Sequence, residues 1–199
     1  QLILVFIIGF FVFGERPDVS EKAYRSINFE ATKALATQAA ESGVQQFIFI
    51  SSVKAGGEFS KPGWPLRAEA PPAPEDAYGR TKLEAEKFLV DMACMAHMDI
   101  MILRAPLIYG PGLRGNMLSL FKAVSKGIIL PFKGINNRRD LIYVLNLVDA
   151  TMCAIRHKKF PKHIYYVCDA EAVSTAELVH QISSALNRPA RLFFLPIFI

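Results

Sequence analysis

Tyr78 and Lys82 lie four residues apart in Pro74-Glu75-Asp76-Ala77-Tyr78-Gly79-Arg80-Thr81-Lys82, where a proline-rich, acidic lead-in gives way to helix formers. That spacing places both side chains on one helical face, one turn apart. A phenol titrates near pH ~10 in water, and an ammonium held beside it favours the phenolate, so such a tyrosine can act as a general base near neutral pH. The same spacing also occurs in ordinary surface helices, and the surrounding chain decides between the two. Ser51 and Ser52 follow a β-rich run, Val44 to Ile50, and read as hydroxyls at the end of a strand.

The elements that would position these residues alternate along the chain. An apolar opening from Gln1 to Gly14 reads as a buried strand: it falls short of the ~20 residues of a spanning helix and lacks the basic lead and cleavage site of a signal peptide. A helix is expected from Pro17 through Ser42, closed by Gly43, then the strand leading to Ser51. Residues 58–74 carry five prolines and no periodicity, which predicts a surface loop over a site. The Tyr78 helix should reach His97, followed by a strand at Ile100 to Leu103 and a proline- and glycine-built loop from Arg104 to Gly112. Further expectations are a helix from Asn116 to Lys126, extended chain from Ile128 to Phe132 and a strand from Asp140 to Val144. A helix from Asn146 to His157 and a strand from His163 to Val167 come next, then a capped helix opening at Ser174-Thr175-Ala176-Glu177.

Alternating helices and apolar strands predict an α/β fold with a doubly wound parallel sheet, covered on both faces. Ligands of such sheets bind beyond the carboxyl ends of the strands. Ser51, Ser52, the Arg104 to Gly112 loop and the start of the Tyr78 helix all fall at that edge. The expected organisation is residues 1–110 as a partial dinucleotide domain and 111–199 as a mixed region. Because the chain opens and closes within apolar sequence and lacks an initial methionine, truncation at both ends is expected.

Composition narrows the partners. With 199 residues, 52% of them hydrophobic, the chain can bury a sizeable core. The formal charge of +5 comes from basic residues spread along the sequence, so an anionic small molecule fits better than a nucleic acid. Cys94, Cys153 and Cys168 form no metal-ligand pattern and no disulfide framework, which points to a reducing, cytoplasmic setting. The four histidines have no metal-ligand spacing.

Five segments together resemble the extended short-chain dehydrogenase/reductase family, in its NAD-dependent epimerase/dehydratase branch. They are Asn28-Phe29-Glu30-Ala31-Thr32, Phe47-Ile48-Phe49-Ile50-Ser51-Ser52, Tyr78-Gly79-Arg80-Thr81-Lys82, Leu103-Arg104-Ala105-Pro106-Leu107-Ile108-Tyr109-Gly110-Pro111-Gly112 and Arg139-Asp140-Leu141-Ile142-Tyr143-Val144. The resemblance implies a Rossmann-type fold with a smaller carboxyl-terminal substrate domain, and NAD, or NADP, as cofactor. It makes Tyr78 the catalytic acid or base. Lys82 then bonds the nicotinamide ribose and lowers the tyrosine pKa, and Ser52 bonds the reacting sugar hydroxyl. Ser51, Ala105 and Pro106 should line the nicotinamide, and Asn116 and Arg139 hold the diphosphate of a UDP-sugar, with Arg138 a solvated neighbour. Asn28 should brace the site. A homodimer through the helices at 18–42 and 78–97 is implied as well.

The chain departs from the family pattern in four places, one being the absence of the acidic or basic residue after the second strand that selects NAD or NADP. The phosphate-cradling Gly-x-x-Gly-x-x-Gly turn is absent from it, a bulky apolar segment occupies Val5 to Gly9, and Asn146 replaces a frequent aspartate. A nucleotide-sugar 4-epimerase is the resulting expectation, with a 4-keto-sugar reductase using the same residues as the alternative. Dehydration is disfavoured because Val53 and Lys54 stand where the family's 4,6-dehydratases carry Asp-Glu. A steroid-type dehydrogenase lacks a use for Asn116 and Arg139, and a cofactor-free binding module is the reading of another class.

Overall fold

Phe47, Ile48, Phe49 and Ile50 are all buried, the signature of a strand covered on both faces rather than one. They form the centre of β2 (Gln46–Ser52), which pairs in parallel with β1 (Ile3–Phe6) on one side and β3 (Asp99–Ala105) on the other. β6 (Ile164–Tyr166) adds to β3, giving a four-stranded parallel sheet in the order β1-β2-β3-β6. The computed structural model describes residues 3–6, 19–61, 63–113, 115–157 and 162–195. Of the expected opening strand only Ile3–Phe6 falls within them, and the rest of the run to Gly14, with most of the bulky Val5 to Gly9 segment, lies outside.

The chain folds into two compact units, residues 1–106 with 145–167, and residues 107–144 with 168–199. The boundary expected at residue 110 thus falls at Pro106, and the region beyond it is shared: α5 (Val144–Arg156), from Leu145 on, and β6 belong with the sheet.

In the first unit, the helical stretch begins as α1 (Glu21–Arg25), capped by Ser20, and passes through a π turn at Ser26–Glu30 into α2 (Ala31–Glu41). Gly43, at φ +72°, supplies the left-handed residue that ends it. α3 (Ala77–Met95) starts at Asp76, whose carboxylate accepts the Gly79 N–H at 2.6 Å. Ala36, Ala39, Ala85 and Leu89 from these helices pack with Phe47, Phe49, Ile100 and Ile102 of the sheet. The small alanines let the helices approach the strands closely. Gln46 is tied down by its side-chain amide, which donates to the Ala154 carbonyl at 2.8 Å.

The segment from Gly57 to Glu75 is the expected surface loop. Its return is anchored by the Ala73 N–H on the Gly56 carbonyl at 2.9 Å, and it leaves Phe59 and Trp64 exposed.

The second unit holds a parallel pair, β4 (Leu107–Tyr109) with β5 (Leu141–Tyr143), and two helices, α4 (Gly115–Ser125) and α6 (Thr175–Ala185). β4 corrects the expectation of a loop from Arg104 to Gly112: three residues between Pro106 and Gly110 are too few to show a period, and partnership with β5 makes them a strand. The extended stretch expected at Ile128 to Phe132 is reduced to a single bridge, Leu130 with Leu192. Asp169 knits this unit, accepting the Tyr109 hydroxyl at 2.9 Å and the Tyr143 N–H at 3.1 Å, while its own N–H donates to the Leu141 carbonyl. α6 opens with the expected capping box between Ser174 and Glu177.

Candidate active site

The register of β2 on β3 sets the site's floor. Ser51 lies level with Arg104 and Ser52 with Ala105, so the strand-end hydroxyls and the Ala105–Pro106 backbone reach the carboxyl edge of the sheet together. Ser52 turns the chain into a short 3-10 helix at Val53–Ala55, its hydroxyl accepting the Lys54 N–H at 3.3 Å. The same residue lies near enough to the Tyr78 phenol to draw its pKa down. Capping a turn and meeting the tyrosine are therefore one position's two roles.

Tyr78 is delivered by the first turn of α3. Asp76 fixes that turn from outside, and Lys54 fixes it from the loop, its ammonium 2.7 Å from Asp76 and 3.3 Å from Glu58. Gly79 is required by how closely the helix meets the loop: a Cβ there would stand 2.5 Å from the Lys54 carbonyl oxygen. Behind the phenol, the Tyr24 ring packs edge-on with centroids 5.7 Å apart.

Tyr78, Lys82 and Glu86 form a buried stripe at four-residue spacing on α3. Lys82 is 0% exposed; its Nζ donates to the Ile50 carbonyl at 3.1 Å and stands over the Phe49 ring at 4.6 Å. Burial lowers the Lys82 pKa to about 8, and the charge of Glu86 works in the opposite direction. The Tyr78 phenol is held above its ordinary value, chiefly by burial, with Ser52 pulling it down. Desolvation of the phenolate outweighs the contacts that stabilise it in this structure.

Ser51, expected beside the nicotinamide, directs its hydroxyl inward, 2.5 Å from the Glu86 carboxylate. Glu86 also takes the Arg104 guanidinium, with nitrogen–oxygen distances of 2.6, 3.0 and 3.2 Å, and Arg104 donates to the Tyr166 hydroxyl at 3.0 Å. Sequence reasoning missed this pair. The signals were present: a carboxylate one turn beyond Lys82 on the same face, and an arginine ending an otherwise apolar strand, where only a paired charge is tolerated.

Asn28 lies within the π turn, buried, with its side-chain amide donating to Thr81 Oγ1 at 3.0 Å and its backbone carbonyl accepting the Thr32 hydroxyl at 2.7 Å. Thr81 in turn donates to the Tyr78 carbonyl, so Asn28 is joined to the backbone of the tyrosine.

Asn116 and Arg139 lie in the second unit. Asn116 is exposed in the first turn of α4. Arg139 is exposed too, its backbone bridged to Val173 in both directions at 2.9 and 3.0 Å. Arg138 spends its guanidinium on the Ala172 carbonyl and Glu177. That unit also contains a mainly apolar cavity of about 530 Å³, lined by Tyr109, Leu113, Leu118 and Phe121 among others. Among the described residues no cluster of histidine, cysteine or acidic side chains is placed to hold a metal, and no helix is long and apolar enough to cross a membrane.

A parallel α/β sheet with a serine, a tyrosine and a buried lysine gathered at its carboxyl edge defines a short-chain dehydrogenase/reductase of the extended, Rossmann-type class. The chain belongs to the NAD dependent epimerase/dehydratase family, whose profile matches residues 13–168. A UDP-glucose 4-epimerase of Vibrio cholerae is 46% identical over 167 residues, which take in 83% of this chain and 51% of that protein. An N-acetyl-alpha-D-glucosaminyl-diphospho-ditrans,octacis-undecaprenol 4-epimerase of Escherichia coli O157:H7 is 26% identical over 185 residues, 91% of this chain and 55% of the other. Among solved structures, UDP-glucuronic acid 4-epimerase from Bacillus cereus, in complex with UDP-glucuronic acid and NAD, matches with a TM-score of 0.76 at 25% identity, over 87% of this chain and 56% of that one. The chain spans about half the length of the curated relatives it matches.

Proposed function

We propose that the protein is an NAD-using nucleotide-sugar 4-epimerase acting on a UDP-hexose or UDP-N-acetylhexosamine through a 4-keto intermediate. The observation that carries this reading is the gathering of Ser52, Tyr78 and the buried Lys82 ammonium, one helical turn behind the tyrosine, at the sheet's carboxyl edge. The 4-epimerases among its relatives support the same chemistry.

The residues present fit the nicotinamide end of the cofactor. A fully buried ammonium at Lys82 suits ribose hydroxyls, and the strand-end backbone at Ala105 and Pro106 offers a flat, buried edge. The glycine turn that cradles dinucleotide phosphates is not in this sequence. NAD, when bound, supplies the hydride acceptor and donor and a formal positive charge. In this reading Tyr78 takes the proton of the sugar 4-hydroxyl while Ser52 holds that oxygen in line, and the carbinol carbon becomes a ketone. Once the ketone presents its other face and the cofactor's hydride would be returned to it, Tyr78 would give the proton back to the same oxygen, leaving no net oxidation. Lys82 holds positive charge near the phenolate, the form in which Tyr78 accepts the proton.

Asn116 and Arg139 are assigned to the substrate diphosphate on the resemblance and on chemistry, since a guanidinium matches phosphate oxygens in pairs. A cytoplasmic setting fits three free, exposed cysteines. A homodimer through α2 and α3 belongs to the same reading, and the mass in solution tests it.

The test incubates the purified protein with NAD and a panel of UDP-hexoses and UDP-N-acetylhexosamines, following the configuration at C4 by NMR. Interconversion of C4 epimers without net use of NAD is the expected result. Stoichiometric consumption of reduced cofactor by a 4-keto sugar would make it a reductase, and binding without turnover would make it a binding module.

A further inference from the structure

We propose that Glu86 and Arg104 are positioning residues of the proton-transfer site, a charge-balanced pair that fixes the electrostatic field beneath the Lys82 ammonium. The proposal rests on the assignment of Lys82 to that site. Lys82 and Glu86 are one turn apart on the same face of α3, with 0% and 1% exposure, and in water they would form an ordinary helical ion pair. In the fold, the Glu86 carboxylate is occupied from two strands at once: Arg104 of β3 spans both of its oxygens, and Ser51 of β2 donates to one. The lysine ammonium is directed instead toward the Ile50 carbonyl and the Phe49 ring.

The geometry around the pair is closely specified. Tyr166 of β6 accepts from the far side of the Arg104 guanidinium at 3.0 Å and lies under it as an aromatic surface, 5.3 Å from its centroid. Gly56 leaves the necessary space, since a Cβ there would stand 1.9 Å from the Tyr166 hydroxyl and 2.7 Å from Arg104 Nη1. Four elements thus converge on the pair, whose own side chains are buried, Glu86 at 1% and Arg104 at 2% exposure. Burial opposes the Arg104 charge, but Glu86 and Tyr166 more than restore it, leaving the guanidinium above its ordinary value. Glu86 also favours the charged form of Lys82.

Among the described residues, these charged and titratable groups act on the stripe. Tyr78, Lys82 and Glu86 come from α3, Arg104 from β3 and Tyr166 from β6. Tyr24 of α1, Lys54 and Asp76 act on Tyr78 at the outer end. With Glu86 neutralised in shape-conserving fashion, the Arg104 charge is left unbalanced near Lys82. With Arg104 neutralised, Glu86 is left unbalanced instead. The two changes must therefore move the lysine in opposite directions, which loss of a structural brace would not do.

The test follows the titration of Lys82 in the purified protein, without cofactor or substrate, by the NMR signal of its 13C-labelled ε-carbon, assigned by its disappearance in Lys82→Arg. Glu86→Gln should lower the midpoint by about one pH unit and Arg104→Gln should raise it by a similar amount. In variants that turn over substrate, the alkaline limb of kcat/KM should move with the midpoint. Midpoints that stay in place, or move the same way in both variants, overturn the proposal. If one single variant does not fold, the other decides; if neither folds, Glu86→Gln/Arg104→Met, which leaves no unpaired buried charge, takes their place. Charge balance requires its midpoint to match the parent's, and a displacement beyond about one pH unit overturns the proposal. Because the titration needs no turnover, its failure is distinguishable from failure of the epimerase reading, which the C4 assay tests on the parent protein.

Discussion

Lys82 Nζ stands 5.9 Å from the centroid of the Tyr78 ring, donates to the Ile50 carbonyl at 3.1 Å and has no exposed surface. A lysine in that position is held against its solvation preference. Its pKa falls from 10.5 to about 8, so the folded protein binds fewer protons than the unfolded chain between those values. Stability should therefore rise with pH across that window, and the full penalty applies below it. Lys82→Met removes the penalty, and at pH 7 it should gain up to about 3 kcal/mol while abolishing turnover. Denaturant unfolding of parent and variant at pH 7 and pH 9 checks this: the gap should narrow at the higher pH, and a variant less stable than the parent at pH 7 contradicts it.

Gly79 and the Lys54 carbonyl oppose two effects of known size. Alanine in a helix is favoured over glycine by about 1 kcal/mol. Here its Cβ would meet a backbone oxygen at 2.5 Å, and overpacking of that kind costs about 1–3 kcal/mol. Gly79→Ala should therefore lose stability despite its better propensity, and should lower kcat by displacing Tyr78 from Ser52. A thermal melt shifted upward with normal kcat would show that the loop yields freely.

Asp76 serves both as the cap of α3 and as the acceptor for Lys54. Asp76→Ala should cost about 1–2 kcal/mol, the usual range for a lost N-cap. Asp76→Asn should recover most of that loss because its carbonyl can still accept the Gly79 N–H. Equal destabilisation by both would place the effect in the ion pair with Lys54 rather than in the cap.

Ser52 draws the Tyr78 pKa down against the effect of burial. Ser52→Ala should raise the phenol further, and since turnover requires the phenolate, the acid limb of the kcat/KM profile should move to higher pH. A fall in kcat/KM of about 10²- to 10⁴-fold accompanies it. An unshifted acid limb would mean that Ser52 only caps the 3-10 turn.

The parallel sheet was legible because both of its faces are buried: Phe47 to Ile50 and Ile100 to Leu103 are unbroken apolar runs, and helical periodicity separates them. Tyr78, Lys82 and Ser52 were legible because spacing on a helix and position at a strand end are properties of sequence alone. What escaped depends on partners distant in the chain. β4 became a strand through β5, more than thirty residues on. Glu86 and Arg104 are ordinary charges until the fold removes water from both, and the raised Tyr78 pKa is likewise a consequence of depth. The inward turn of the Ser51 hydroxyl follows from the period of the strand, since adjacent residues point to opposite faces.

The most direct test of the proton-transfer assignment is the turnover of a UDP-sugar with NAD by Tyr78→Phe. The variant keeps the ring packed against Tyr24 and removes only the phenolic oxygen, so its fold and melting temperature should stay near those of the parent. Interconversion of C4 epimers should fall by at least about 10³-fold. A folded Tyr78→Phe protein that epimerises at the parent's rate would contradict the account.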